Sequence, residues 1–270
     1  MTNDHRTFLA TAVRAAHAAG KIQQFYVDGD LEIDTKSNET DLVTHADKLC
    51  EERIREIILS EHPEHVVYGE EGGQDGESRW RWIVDPIDGT TNYAQGFPFY
   101  CVSIGLEIDG VMEVGVVFDS AHNDLFTAVR GEGAYLNGAP INVSSEPELI
   151  KTVLATGFAY SEDVISENIE IFARVHPKVR SVRRPGAAAL DLCYVACGRL
   201  DGFWELKLNA WDVAAGWLII QEAGGTVTGP AGEPYSFDSR VVVATNGHIH
   251  LKLVNLLGLA QLHDDKQATA

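Results

Sequence analysis

The chain has 270 residues, of which 45% are hydrophobic and 23% charged, as expected of a globular protein that buries a sizeable core. Its formal net charge of −19 at pH 7 disfavours binding to nucleic acid or to an anionic membrane surface. Four scattered cysteines make no disulfide framework, and no apolar run is long enough for a signal core or a membrane span, so we expect a cytoplasmic protein.

The first half of the sequence predicts two helices and a series of strands. Apolar periodicity indicates helices over 4–27 and 44–60, and strands at 31–35, 66–68, 82–84, 100–106, 111–118, 125–129 and 134–136. Asp109-Gly110 and Asn137-Gly138 are favoured two-residue hairpin turns. The polar segment Lys36 to Asp41 is expected to be a loop beside a site.

In the second half, predicted strands alternate with predicted helices. The strands are expected at 153–156, 179–182, 203–206 and 241–244, and the helices at 162–175, 186–198, 211–223 and 248–257. A seam at 144–148 divides an α+β half, 1–145, from an α/β half, 146–270, within one compact unit. The polar tail from His263 is expected to be disordered.

The stretch Trp82-Ile83-Val84-Asp85-Pro86-Ile87-Asp88-Gly89-Thr90-Thr91-Asn92-Tyr93 carries the strongest functional signal. Its three leading apolar residues predict a buried strand that stops at Asp85-Pro86, because proline cannot donate to a ladder. Two carboxylates follow, and Gly89 allows a tight turn into a helix opened by Thr90. Such a turn offers carboxylates to a hard cation and backbone amides to a phosphate. Alternatively, Asp88 only caps a helix and Asp85 is solvated.

Other acidic residues lie where predicted strands end and predicted helices begin. Thr44-His45-Ala46-Asp47 opens a helix with the spacing of a capping box, and Gly69-Glu70-Glu71 follows a strand. Asp212 stands in Trp211-Asp212-Val213-Ala214-Ala215-Gly216, where Asn209 gives it capping spacing as well. Trp82 and Trp211 flank the acidic motifs, so both are expected to sense metal binding.

Four carboxylates, those of Glu70, Asp85, Asp88 and Asp212, would be costly neighbours. Two unit charges about 4 Å apart repel by roughly 4 kcal/mol at an effective dielectric near 20. Either the fold separates these groups or cations hold them. A set of oxygen ligands without cysteine or histidine favours Mg²⁺ over Zn²⁺.

In this order, the motifs resemble those of the inositol monophosphatase family, within the lithium-sensitive, magnesium-dependent sugar and inositol phosphatases. The resemblance extends from about Lys36 to Gly225. It implies an α/β (α+β) protein with the layered αβαβα sugar-phosphatase fold. It further implies a Mg²⁺-dependent phosphomonoesterase that acts on a small phosphorylated polyol, is inhibited by Li⁺ and forms a homodimer.

The same resemblance implies roles for individual residues. The metal ligands would be Glu70, Asp85, the Ile87 carbonyl, Asp88 and Asp212, and the metals would activate a water for in-line displacement at the phosphate. Asp47 would hydrogen-bond the Thr90 hydroxyl, which positions that water together with Glu70. The backbone amides of Gly89 and Thr90 would hold the phosphate.

On the substrate side, the resemblance implies that Glu205 binds hydroxyls of the polyol, with Asp212 beside it. The backbone of Gly186, Ala187 and Ala188 is expected to approach the ring closely, because none of the three carries a bulky side chain. A solvated strand-end carboxylate remains the alternative for Glu205. Lys36 either reaches into the site from its loop or is a solvated lysine. Inositol 1-phosphate is the expected substrate, with histidinol phosphate or fructose 1,6-bisphosphate as alternatives.

Phe158 replaces the small polar residue of animal members, and Arg183-Arg184-Pro185 is similar to the bacterial subgroup, so the substrate stays open. A function of another class is a partner-binding regulatory protein on the same scaffold. Because every catalytic position of the motif is filled, the sequence favours the enzyme.

Overall fold

The computed structural model describes residues 3–27, 33–35, 42–158 and 162–259. Within these ranges the chain forms five layers in the order helices, sheet, helices, sheet, helices, which confirms the expected sandwich fold. The predicted loop from Lys36 to Asp41 and the predicted disordered tail from His263 lie outside the described residues.

Two long helices form the first layer, close to their predicted bounds. They are α1 (Asn3–Tyr26) and α2 (His45–Glu61), and a small antiparallel pair, β1 (Ile33–Thr35) and β2 (Leu42–Thr44), precedes α2. One face of α1 is a row of fully buried alanines, including Ala12, Ala16 and Ala19. Because alanine occupies little volume, α1 packs closely against α2 and the sheet beneath.

The second layer is an eight-stranded sheet. Its strands are β3 (Val66–Gly69), β4 (Gly73–Gln74), β5 (Trp80–Asp88), β6 (Cys101–Ile108), β7 (Val111–Asp119), β8 (Asp124–Val129), β9 (Ala134–Leu136) and β10 (Ala139–Ile141). They lie in the order β10-β9-β8-β7-β6-β5-β3-β4, and only β3 and β5 run parallel. Both predicted hairpin turns are present, with positive φ at Asp109, Gly110, Asn137 and Gly138.

The strand β5 corrects the prediction that its backbone pairing stops at Asp85-Pro86. It continues to Asp88, with Asp85 opposite Ser103 and Asp88 opposite Cys101, so the segment between them is bulged. Pro86 lies within this bulge, where a missing N–H removes no regular ladder bond. The buried Gln23 side chain of α1 donates to the Pro86 carbonyl at 2.9 Å, which satisfies the bulged backbone.

The remaining layers come from the second half of the chain. The inner helices are α5 (Ala188–Ala196) and α6 (Ala210–Glu222), and the outer helices are α4 (Glu162–Val175) and α7 (His250–Leu257). The five-stranded sheet between them consists of β11 (Val153–Thr156), β12 (Ser181–Arg183), β13 (Gly202–Leu206), β14 (Thr226–Thr228) and β15 (Val241–Thr245), in the order β12-β11-β13-β15-β14. The short helices are α3 (Thr90–Ala94) and 3₁₀ turns at Leu149–Lys151 and His176–Lys178.

Three apolar clusters fill the spaces between the layers, and the largest surrounds α5 and α6 between the two sheets. The C-terminal end of β5 and the N-terminal ends of α5 and α6 border this central layer. Across the described ranges, no helix has both the length and the apolar character needed to cross a membrane.

Candidate active site

The bulge of β5 and the first turn of α6 bring three carboxylates together. One oxygen from each of Asp85, Asp88 and Asp212 lies within 4.8 Å of the others. Asp85 is 2% and Asp88 7% exposed. Residues far apart in the sequence therefore form one acidic cluster, which we call the carboxylate triad, and only Asp212 in it is partly exposed.

The triad is electrostatically strained in the absence of a cation. Burial raises the pKa of Asp88 to about 7, the charge of Glu70 acts in the same direction, and two backbone N–H donors act against it. Burial also raises the pKa of Asp212 well above its ordinary value, assisted by the charges of Glu70 and Asp88. A divalent cation would compensate these charges, and oxygen is the donor that Mg²⁺ prefers, so the residues fit this metal.

The N-terminus of α5 supports Asp88 directly. The amides of Ala188 and Ala189 donate to its two carboxylate oxygens at 3.2 and 2.7 Å. The Ala188 amide, expected beside the substrate, is thus directed at Asp88. Helix α5 stabilises the anionic form of this carboxylate and joins the triad to the second half of the chain.

Asp85 and Asp212 also bond to their local backbone. An oxygen of Asp85 accepts from the Ile87 amide at 3.0 Å, and an oxygen of Asp212 accepts from the Asn209 amide at 2.7 Å. Asp212 thus makes the capping contact that its spacing predicts while it belongs to the triad.

Asp47 joins helix α2 to the turn that follows β5. One oxygen of this fully buried side chain accepts from the amide and hydroxyl of Thr44 at 2.7 and 2.6 Å. Its other oxygen lies 3.2 Å from the Thr90 hydroxyl, which is also 3.0 Å from the Ile87 carbonyl oxygen. The capping box and the contact with Thr90 therefore coexist.

Glu70 lies at the end of β3, beside the start of the bulge. Its amide donates to the Val84 carbonyl at 3.2 Å. Its charge contributes to the raised pKa values of Asp88 and Asp212. The structure thus brings Glu70 close to the triad.

Gly89 connects β5 to α3 in a left-handed conformation with φ of 90°. A Cβ atom there would lie 3.0 Å from the Phe99 carbonyl oxygen and 3.1 Å from the Ala187 Cβ. The Asn92 side chain donates to the carbonyls of Phe99 and Pro185 at 2.7 and 2.9 Å. This turn is consequently packed against the Gly186–Ala187 segment.

Glu205 lies on β13 and is 9% exposed. Burial and the nearby Asp88 charge raise its pKa to about 8, against the opposing charge of Arg184. The Glu205 carboxylate rests on the backbone of Gly157, where an added Cβ would approach both oxygens to 2.1 Å. Arg184 lies over the ring of Phe158 at 6.0 Å. Glu205 is thus a buried carboxylate and not the solvated alternative.

Two outcomes differ from the sequence reasoning. Trp82 is fully buried and its indole N–H donates to His65 at 2.9 Å, so it packs towards α1 and α2 and not towards the triad.

The sequence reasoning also missed Asp191, which is 1% exposed and has one oxygen without a hydrogen-bond partner. Burial, and then the charge of Glu205, raises its pKa well above the ordinary value. An acidic residue within the apolar helix α5 is the signal that could have identified it.

The five-layered fold, with an acidic cluster that could hold a metal ion, is that of the sugar-phosphatase class. Comparison with known proteins makes the assignment narrower. The sequence profile described as "Inositol monophosphatase family" matches residues 4–261. The chain belongs to the inositol monophosphatase family.

Individual relatives agree in length and fold. Inositol-1-monophosphatase of Synechocystis is 43% identical over 259 residues, which cover 94% of this chain and 90% of that protein. The Nus factor SuhB of Pasteurella multocida is 41% identical over 246 residues, covering 89% of each. The solved inositol monophosphatase of Anabaena superimposes with a TM-score of 0.87 at 42% identity, covering 95% of this chain and 97% of that one.

Proposed function

We propose that the protein is a Mg²⁺-dependent phosphomonoesterase that hydrolyses inositol 1-phosphate to inositol and phosphate. The observation that carries this proposal is the approach of Asp85, Asp88 and Asp212 to within 4.8 Å of one another. The hydrogen bond between Thr90 and Asp47 beside them adds a route for a proton. Relatives named inositol monophosphatases support the choice of substrate.

The residues that would hold Mg²⁺ are Glu70, Asp85, the Ile87 carbonyl, Asp88 and Asp212. Mg²⁺ at this position supplies positive charge to the phosphate oxygens and to the attacking water. The donors come from β3, β5 and α6, which are fixed by the two sheets and the central helices. Such rigid placement limits the reorganisation needed during the reaction.

Thr90 and Asp47 would move the proton of the attacking water. The Thr90 hydroxyl can donate its single hydrogen to Asp47, which leaves a lone pair on the hydroxyl oxygen to accept from water. The buried Asp47 carboxylate is then the terminal proton acceptor, and Glu70 orients the same water from the other side. The amides of Gly89 and Thr90 would bind the phosphate.

Glu205 would accept a hydrogen bond from a hydroxyl of the polyol, while Gly186 and Ala187 lie beside the ring. Removing a charged acceptor typically costs about 1.5–3 kcal/mol. Above pH 8, where the Glu205 carboxylate is ionised, Glu205→Gln should therefore lower kcat/KM for the true polyol roughly 10- to 150-fold. A generic ester such as p-nitrophenyl phosphate should be almost unaffected, because it has no polyol hydroxyl.

The decisive experiment measures phosphate release from inositol 1-phosphate, histidinol phosphate, fructose 1,6-bisphosphate and p-nitrophenyl phosphate, with Mg²⁺ and with EDTA. We expect Mg²⁺-dependent release that is fastest for inositol 1-phosphate and inhibited by Li⁺. A higher kcat/KM for histidinol phosphate would overturn the choice of substrate and leave the metal chemistry in place.

A partner-binding regulatory protein is the second candidate, favoured by the similarity to proteins named Nus factor SuhB. Absence of metal-dependent release from all four esters would favour it. For either function we propose a cytoplasmic homodimer, with a sedimentation mass near twice 29.5 kDa.

A further inference from the structure

Helix α2 carries a second buried carboxylate one turn after Asp47. Glu51 is 2% exposed, although it is a charged residue in the middle of a helix. Its two oxygens accept from the consecutive backbone amides of Glu71 and Gly72, at 2.8 and 2.9 Å. A buried carboxylate requires such partners, and here they come from the turn that carries Glu70.

Arg55, one turn further along α2, completes the arrangement. Its Nε donates to Glu51 at 2.8 Å, and one terminal nitrogen donates to the Val67 carbonyl at 3.0 Å. The other terminal nitrogen donates to the Gly73 carbonyl. The guanidinium therefore balances the charge of Glu51 and bonds to the chain both before and after the turn.

The 69–72 turn is shaped around the Glu51 carboxylate. A Cβ atom at Gly69 would lie 2.4 Å from this group, and one at Gly72 would lie 2.7 Å from one of its oxygens. On the opposite side, the Glu70 amide donates to the Val84 carbonyl. Three consecutive amides, those of residues 70–72, thus have fixed partners in the sheet or in α2.

We propose that Glu51 is a positioning residue that sets the location of Glu70 relative to the carboxylate triad. This inference rests on the proposed function, in which Glu70 is a metal ligand and orients the attacking water. Because Asp47 and Glu51 are four residues apart, they lie about 6 Å apart along the axis of one helix. Helix α2 thereby fixes both groups that act on the water, Asp47 by carrying it and Glu70 through Glu51.

The test measures binding of Mg²⁺ alone by calorimetry and, separately, the Mg²⁺ dependence of phosphate release. Glu51→Gln keeps the shape of the side chain but directs an NH₂ group at one of the two amides. Loss of a group that orients a metal ligand typically costs about 10–100-fold, so we expect Mg²⁺ affinity to fall about tenfold or more.

Glu52→Gln is the matched control, because Glu52 is the next residue of α2, carries the same charge and is exposed. Its Mg²⁺ affinity should stay within about twofold of the wild type. If Glu51→Gln binds Mg²⁺ with wild-type affinity, the positioning role of Glu51 is overturned and the proposed function is unaffected. Absence of Mg²⁺ binding by the wild type would overturn the proposed function together with it.

A double-mutant cycle separates positioning of Glu70 from general support of the fold. In a Glu70→Gln background, adding Glu51→Gln should change Mg²⁺ affinity by less than about twofold, because the ligand it positions has lost its charge. A further tenfold loss would overturn the inference. If Glu51→Gln does not fold, Arg55→Lys replaces it in the same cycle, since it retains the charge but loses the bonds to both carbonyls. We then expect weaker Mg²⁺ binding that again disappears in the Glu70→Gln background.

Discussion

The substitution Asp88→Asn tests the charge of the triad separately from its shape. The oxygens of Asp85, Asp88 and Asp212 lie within 4.8 Å of one another, so each fully ionised pair repels by roughly 3.5 kcal/mol at an effective dielectric near 20. The substitution removes two of these three pairs. It also removes an oxygen that accepts from the backbone of α5, which costs about 1–3 kcal/mol.

The balance between this repulsion and the hydrogen bonds with α5 depends on pH, because carboxylates of the triad are protonated in the folded protein at a pH where they are ionised in the unfolded chain. Burial raises the pKa of Asp88 to about 7, above its unfolded value. Its contribution to stability is therefore complete below the unfolded pKa and is lost as the pH rises through the folded pKa. Two pairs contribute about 7 kcal/mol of repulsion and the lost hydrogen bond offsets about 1–3 kcal/mol. We therefore expect Asp88→Asn to stabilise the metal-free protein by about 4–6 kcal/mol at alkaline pH and to have no stabilising effect at about pH 5.

Urea unfolding in EDTA at both pH values measures this difference. Adding Mg²⁺ at alkaline pH should raise the free energy of unfolding of the wild type and leave that of the variant unchanged. The variant should also lose phosphate release. The reasoning is refuted if Asp88→Asn lowers the free energy of unfolding at alkaline pH, or if its effect is the same at both pH values. In that case the contacts with α5, and not repulsion, dominate the energetics of Asp88.

Three other predictions follow from single contacts. The Trp82 indole N–H donates to His65, and burial together with the charge of His62 lowers the pKa of His65 to about 4. The neutral ring thus stabilises the fold above pH 6.5 and this stability is lost towards about pH 4, so His65→Gln should flatten the acid side of a pH–unfolding profile. Gly157→Ala places a Cβ 2.1 Å from both Glu205 oxygens, so kcat/KM for inositol 1-phosphate should fall about tenfold while that for p-nitrophenyl phosphate is retained. Gly89→Ala forces a side chain into a φ of 90°, and its free energy of unfolding in urea should fall by about 1–3 kcal/mol.

The sequence predicted those elements whose signals are local. The Asp109-Gly110 and Asn137-Gly138 turns were correct because positive φ angles are favourable for these residue pairs. The strands β4 and β14 were missed because elements of two or three residues show no periodicity. Their formation depends on antiparallel pairing with β3 and β15.

Two interpretations applied a local rule without the rest of the fold. The end of β5 was placed at Pro86 because proline cannot donate, but Gln23 from α1 satisfies the bulge and the pairing resumes at Asp88. Trp82 was expected to sense metal binding because it is near Asp85 in sequence. Side chains alternate along a strand, so Trp82 and Asp85, which are three residues apart on β5, face opposite sides of the sheet.

For Asp47 and Asp212, the sequence predicts capping as well as a role in the site, and the geometry explains how both occur together. Each carboxylate has two oxygens. Asp47 bonds the backbone of Thr44 with one and contacts Thr90 with the other, and Asp212 bonds the Asn209 amide while it contributes an oxygen atom to the triad. The capping bond restricts the rotamer of the side chain, and this restriction aims the carboxylate at the site. Capping spacing is therefore not evidence against a catalytic role at the start of a helix, because the same hydrogen bond that begins the helix also fixes the direction of the carboxylate.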